Sequence, residues 1–329
     1  MKHIIFSLLF LICIPISAND WENNHVLQIN REPARAAFMP FTLHKGDSEI
    51  SLNGKWKFRW TKTPDERILN FYSPQYDCSD WKDIDVPANW EVNGYGTPIY
   101  ISSGYPFKID PPYVMKEPKH NWTTFSERNP TGQYRRSFII PDNGQSARRY
   151  YIRFDGVQSA FYLWINGHKV GYSQGSMEPS EFDITSYVKK GVNDISVEVY
   201  KYSDASYLED QDFWRFGGIQ RSVTVFSTPN VQLRDYAVRT VAVDSVFKKF
   251  ELQINPKMRA FNNETGAGYK VKAILSDEKG CDVVHLTADA SDILDIEHKA
   301  ANMNEWFPQR GRSKFARMSA IINNPHLWT

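Results

Sequence analysis

Cysteine is scarce in this chain: three residues in 329, at Cys13, Cys78 and Cys281. Only two of them lie beyond the first eighteen residues, about two hundred positions apart, so no disulfide framework holds the fold and free thiols are expected. Core burial has to hold it instead, and a chain of this length can bury enough apolar surface. An excess of one charge is also missing. Lys and Arg total 39 against 38 Asp and Glu, a net charge of +1, with no basic tract. Neither nucleic acid nor an anionic membrane is therefore an expected partner. Long apolar runs are absent beyond the start. The run over 4–16 follows Met1-Lys2-His3 and ends at Ser17-Ala18. It has the length of a signal peptide and is too short for a membrane span. Residues 1–18 read as an export signal, which places the mature chain in the periplasm or outside the cell. Cys13 offers a lipoprotein anchor as the alternative, although Ile12 is bulky where a small residue is expected. The eight histidines show no metal-ligand spacing, and helical periodicity is short throughout.

What is abundant is aromatic: 14% of residues, with ten Trp and seventeen Tyr. Aromatic faces stack on the C–H faces of sugars, but they also fill sandwich cores and pair across strands. Composition leaves both readings open. Period-2 alternation dominates the pattern, as in Arg149-Tyr-Tyr-Ile-Arg-Phe-Asp155 and Asp194-Ile-Ser-Val-Glu-Val-Tyr200. Asn166-Gly167 between two such runs is a type I′ hairpin signal. The class is all-β. Residues 51–227 fit a jelly-roll β-sandwich, preceded by an arm over 19–50. The pattern restarts after Ser227-Thr-Pro229. Alternating runs at 233–243, 249–254, 269–275, 281–286 and 315–322 make five or six strands of an immunoglobulin-like sandwich over 230–329. The closing Asn324-Pro-His-Leu-Trp-Thr329 reads as a loop leading into a strand that is not there. The second sandwich is therefore expected to be incomplete and to expose a sheet edge and part of its core.

Several segments resemble family 2 β-galactosidases in collinear order over about residues 20–225. They include Asp20-Trp-Glu-Asn23, Val86-Pro-Ala-Asn-Trp90, Gly94-Tyr-Gly-Thr-Pro-Ile-Tyr100, Asn129-Pro-Thr-Gly132 and Phe154-Asp-Gly-Val157. The most specific is Ser203-Asp-Ala-Ser-Tyr-Leu-Glu-Asp-Gln-Asp-Phe-Trp-Arg215. The resemblance implies a parent enzyme that removes terminal β-galactosyl residues from oligosaccharides. Its TIM barrel supplies two glutamates to a retaining mechanism, which needs carboxyls about 5–5.5 Å apart. No residue here matches either glutamate. The resemblance puts both beyond Thr329, so the chain alone is expected to be inactive. Its partners would be a galactoside oligosaccharide and the missing barrel, in a parent that forms a homo-oligomer. A β-glucuronidase or β-mannosidase parent shares the domain order, and a stand-alone carbohydrate-binding protein is the alternative of a different class.

Three carboxylates fall within Glu209-Asp-Gln-Asp212 and repel one another unless cations or donors offset them. Read from the residues, such a loop either binds a hard cation or is neutralised by Arg215 and solvent. The resemblance implies that Asp212 reaches the barrel mouth, where it binds Na⁺ and galactosyl hydroxyls. It implies a second sugar contact at Ser102, where the family usually carries Asn; a hydroxyl reaches less far than an amide. It also implies a Mg²⁺ site between arm and jelly roll, made by Asn23, the Val26 carbonyl, Gln174 and Asp204. Trp90 and Trp214 adjoin these loops and are expected to shape a pocket, whereas Trp56, Trp60, Trp81 and Trp164 read as core.

Overall fold

A computed structural model describes residues 19–35, 49–142, 148–293 and 318–327. The signal-peptide and Cys13 readings lie outside these residues, as do 36–48 of the arm, the 315–317 end of one expected strand, and Trp328 and Thr329. Among the described residues every regular element is a β-strand or a short 3-10 turn. Cys78 and Cys281 are both free thiols.

The largest sheet is antiparallel, with seven strands. Its order is Gln28–Ile29, His168–Gln174, Ala160–Ile165, Gly191–Tyr200, Thr131–Ile140, Gly54–Thr61 and Lys82–Val86. A second, four-stranded sheet runs Ser180–Asp183, Arg148–Phe154, Val223–Pro229 and Glu49–Ser51. Alternate residues decide how the two stack. Phe161, Leu163, Ile165, Ile195, Val197 and Val199 point from the large sheet onto Ile152, Phe154, Phe182, Val223 and Val225 of the smaller one. The opposite face of the large sheet carries Tyr162, Trp164, Tyr172 and Tyr200, which Trp21, Phe71, Trp81 and Phe107 cover. Both faces being buried explains why Ala160-Phe-Tyr-Leu-Trp-Ile165 lacks polar alternation: all six residues are buried. Much of the aromatic content goes into packing. Trp56, Trp81 and Trp164 are buried, and Trp60 packs half-buried against the core.

The Ala160–Ile165 and His168–Gln174 strands are joined at Asn166 and Gly167, with φ of 51° and 83°, the two left-handed residues of a type I′ turn. The arm closes one side of the sandwich. Gln28 and Ile29 pair with Ser173 and Tyr172 at the edge of the large sheet, and Arg31 then bridges Phe182 of the smaller sheet.

Only Asn230 separates the strand Val223–Pro229 from the strand Val231–Ala242. Beyond that point the described strands pair only with one another. Val231–Ala242, Lys249–Ala260 and Met318–Asn323 form one antiparallel sheet, and Lys270–Ser276 pairs with Asp282–Asp289. Their shared core is small, with Val231, Met258, Ala290 and Ile293 at its centre. Farther along the same strands Tyr236, Val238, Val241, Ile274 and Ile321 are exposed.

Candidate functional site

Two short strands outside the main sheets carry the site. Phe213–Arg215 pairs antiparallel with Ile99–Ile101, with Trp214 opposite Tyr100 and Phe213 opposite Ile101. Asp212 precedes Phe213 and Ser102 follows Ile101, so those two stand across from each other at the end of the ladder. Side chains two apart share a face of a strand. The ladder therefore presents Tyr100, Ser102, Asp212 and Trp214 together, and all four are exposed. The Tyr100 hydroxyl donates to Asp212 Oδ1 at 2.5 Å. That hydrogen bond, with the neighbouring negative charge, raises the Tyr100 pKa and keeps the phenol protonated. The Tyr100 ring packs at 5.6 Å from Trp214, which stacks on Phe216 at 5.9 Å.

The acidic run is held by separating its charges. Glu209 accepts from the Ser176 N–H at 2.7 Å and its hydroxyl at 2.6 Å. Asp210 accepts from Arg215 at 2.8 Å and from the Gly104 N–H at 3.0 Å. Arg215, buried, also donates to the Glu209 carbonyl at 2.8 Å. Arg215 thus neutralises Asp210, which pins the Ser102 loop to the acidic loop through the Gly104 N–H. It does not reach Asp212, whose Oδ2 has no partner among the described residues. An exposed carboxylate oxygen of that kind can accept sugar hydroxyls or bind a hard cation.

Beneath the ladder lies a buried ion pair. Lys201 meets Glu91 at 2.6 Å, with both side chains almost fully enclosed. Glu91 also accepts the Gly217 N–H at 3.1 Å, which fixes the chain just past the Phe213–Arg215 strand. Trp90 sits here too, but not in a pocket: it is fully buried in the sandwich core and donates its indole N–H to the Tyr134 hydroxyl. Glycines make room for it, since a Cβ on Gly132 or Gly217 would lie 2.5 Å from the indole ring. The expectation that Trp90 shapes a pocket is corrected by this seat, whereas Trp214 is half-exposed beside Asp212.

The candidate cation residues lie on the turn Asp204–Leu208, at the end of the strand His168–Gln174 and in the arm. Asp204 is buried, and its Oδ1 finds no partner among the described residues. Burial pushes its pKa up to about 6; a hydrogen bond from Gln174 and two backbone N–H groups oppose this, and the charge of Glu22 adds to it. Glu22 is occupied by the Val114 and Met115 N–H groups at 2.8 and 2.7 Å. Tyr172 donates to Gln174 Oε1 at 2.7 Å. Rotating that amide by half a turn would aim its oxygen at Asp204 and its amino group at the Tyr172 oxygen, which can accept. Asn23 and Val26 belong to the arm segment that follows Glu22. The Asn23 carbonyl accepts the Val26 N–H at 2.8 Å, and its Oδ1 accepts the His25 N–H at 3.2 Å. The orphaned, buried oxygen of Asp204 beside the Gln174 amide suits a hard cation, whereas the Asn23 and Val26 groups make local contacts within the arm. No three His, Cys, Asp or Glu side chains converge as a metal centre among the described residues, so such a site would join one carboxylate to neutral oxygens.

Sequence reasoning missed Tyr100 as a partner of Asp212. The signal was present: Tyr100 and Ser102 are two apart in an extended segment, so a strand there puts them on one face.

Residues 50–229 match the family described as glycosyl hydrolases family 2, sugar binding domain. The β-galactosidase of Priestia megaterium is 42% identical over 250 residues, 72% of this chain and 23% of that protein. The β-galactosidase of Pseudoalteromonas haloplanktis is 34% identical over 323 residues, 95% of this chain and 28% of its own length. The chain therefore spans between a fifth and a third of these relatives. Among solved structures, a Bacteroides uniformis β-glucuronidase 2 superposes with a TM-score of 0.57 at 18% identity, over 86% of this chain and 29% of that one. A Bacteroides vulgatus β-glycosidase gives 0.56 at 19%, over 86% and 30%. At those identities the likeness concerns the fold. The sandwich, the arm along its edge and the sequence match across residues 50–229 together establish that this chain belongs to glycosyl hydrolase family 2.

Proposed function

We propose that this chain is the non-catalytic, N-terminal part of an exported β-galactosidase, and that it presents Asp212 and Ser102 to a galactosyl group held by a separate barrel. The observation that carries this is the shared face of the two short strands. Asp212 is exposed, is not neutralised by Arg215 and is aimed by Tyr100, with an exposed indole and a hydroxyl beside it. A carboxylate whose only fixed partner is a phenol is poorly used as a structural anchor and well suited to sugar hydroxyls and Na⁺. Asn23, the Val26 carbonyl, Gln174 and Asp204 would hold Mg²⁺, which would tie the arm to the domain by charge. The names of the relatives that cover most of this chain support the galactoside assignment. The chemistry of bond cleavage falls to a pair of carboxyls outside these residues, so this chain alone is inactive.

The test is hydrolysis of β-galactosides by the full reading frame, beside β-glucuronides and β-mannosides and beside this chain alone. The expected result is galactoside turnover by the full frame, none by this chain, and a loss of kcat/KM of about a hundredfold in Asp212→Asn. A full frame without galactosidase activity, or one indifferent to Asp212→Asn, overturns the reading.

A further inference from the structure

The outer face of the large sheet contains a cavity of about 400 Å³ between the arm and the strands bearing Tyr162, Lys169 and Glu198. It shares no residue with the Tyr100–Asp212 face. Its size falls within the range of small-molecule sites, roughly 300–1,000 Å³. Its polar groups alternate in sign. Asp20 accepts from the Tyr162 hydroxyl at 2.6 Å and lies 4.0 Å from Lys169. Glu198 lies 3.5 Å from Arg67 and is held by the Gln133 amide at 2.7 Å and by the Tyr200 hydroxyl. Leu69 stands exposed at the rim.

The charge pattern selects the ligand. An anion entering near Arg67 and Lys169 also meets Asp20 and Glu198, and a cation meets the reverse, so neither gains a net field. The ring faces are already covered. Trp21 has Tyr200 stacked at 4.0 Å and Arg67 at 5.6 Å, Lys169 lies 4.1 Å over Tyr162, and Tyr72 stacks on Trp164 at 4.9 Å. A flat apolar ligand therefore finds no free aromatic surface. What remains is a set of fixed donors and acceptors, which suits a molecule offering many of both without net charge. Glu198, near the end of the Gly191–Tyr200 strand, has both oxygens filled by Gln133, Tyr200 and Arg67, and so fixes Arg67 at the cavity wall.

We propose that this cavity is a second carbohydrate site that takes a neutral pyranose through hydrogen bonds from Arg67 and Lys169 and to Asp20. It acts without the barrel, so this chain alone should bind, whatever becomes of the Asp212 reading.

Ligand-observed NMR on this chain tests it, with methyl β-galactoside and methyl β-glucoside as neutral probes and galacturonate and glucosamine as charged comparators. The expected result is saturable transfer to a neutral glycoside, weakened roughly tenfold or more in Lys169→Met. That variant keeps an unbranched chain of similar length, with an apolar end in place of the ammonium over Tyr162. Asp20→Asn, which still accepts from Tyr162, should weaken it similarly. No transfer from either neutral glycoside overturns the proposal. So does tighter binding of a charged comparator, or binding lost in Asp212→Ala and kept in Lys169→Met. This last result places the sugar at the strand pair and leaves the Asp212 reading standing.

Discussion

Arg234 reaches Glu181 at 2.5 Å, with side chains only 7% and 6% exposed. It joins the first strand past residue 230 to the smaller sheet of the sandwich. Arg35 of the arm meets the same carboxylate at 2.7 Å, and Arg234 also donates to the Pro33 carbonyl at 3.0 Å. Arg259 adds a second tie to Glu32 at 2.6 Å. The arm is thus clamped between the two halves of the chain. Burial alone would raise the Glu181 pKa, but the hydrogen bond from Arg35 and the charge of Arg234 outweigh it and hold the carboxyl below its ordinary value.

Glu181→Gln leaves two buried guanidinium groups without their shared anion. The expected cost is about 3–5 kcal/mol, read from denaturant unfolding at neutral pH. The sign with pH follows from linkage. Because the folded pKa is lowered from 4.5, the stabilisation is fully present above about pH 4.5 and is lost as pH falls through the folded value. The stability gap between native protein and Glu181→Gln should therefore shrink on acidification below that point. A gap that is absent at pH 7, or that widens in acid, contradicts the clamp.

This clamp was not legible in the sequence, for a physical reason. Glu181 and Arg234 are 53 residues apart, and only the packing of a strand edge against the next sheet brings them together. The same holds for Tyr100 and Asp212, separated by 112 residues and joined by strand register. Local features read more easily. Asn166-Gly167 gave its hairpin because two consecutive left-handed residues leave few alternatives. The alternating strands were legible because burial on one side imposes period two. Trp90 misled because nearness in sequence to a loop says nothing of the direction of a side chain; the glycines that admit it lie at 132 and 217.

That glycine seat makes a sharp prediction. A methyl group at residue 132 would lie 2.5 Å from Trp90 and 2.8 Å from Phe58, neither of which has room to withdraw. Gly132→Ala should lower stability by about 1–3 kcal/mol through overpacking. Gly94→Ala has nothing within 4 Å of its added carbon, although its φ of 84° strains alanine. It serves to separate the two costs: a loss in Gly132→Ala no larger than in Gly94→Ala would remove the packing argument.

Tyr100→Phe removes the donor that aims Asp212 and keeps the ring against Trp214. Tyr100 is 53% exposed, so stability should change by no more than about 0.5 kcal/mol. In the proposed full-length β-galactosidase the variant should lose roughly tenfold in kcat/KM on galactosides, the worth of one charge-assisted hydrogen bond. Thermal melts and steady-state kinetics on the same preparation separate the two effects. A fall in stability with unchanged kinetics would assign Tyr100 to the fold instead.

Asp204 supplies the last prediction, because its charge is a cost that a cation can remove. Its folded pKa is raised from 3.8 to about 6. The neutral form is thus favoured by folding, and the ionised form at pH 7 opposes it. Without metal, Asp204→Asn should be at least as stable as the native protein. With Mg²⁺ the order should reverse, since a ligand at a hundred times its Kd adds about 2.7 kcal/mol to the state that binds it, and asparagine gives up the charge that holds the ion. Thermal melts of both proteins in chelator and over a Mg²⁺ series read this directly. A parallel response of the two proteins to Mg²⁺ would place the ion elsewhere. A native protein already more stable than Asp204→Asn in chelator would mean that Asp204 has a protein partner for its unsatisfied oxygen.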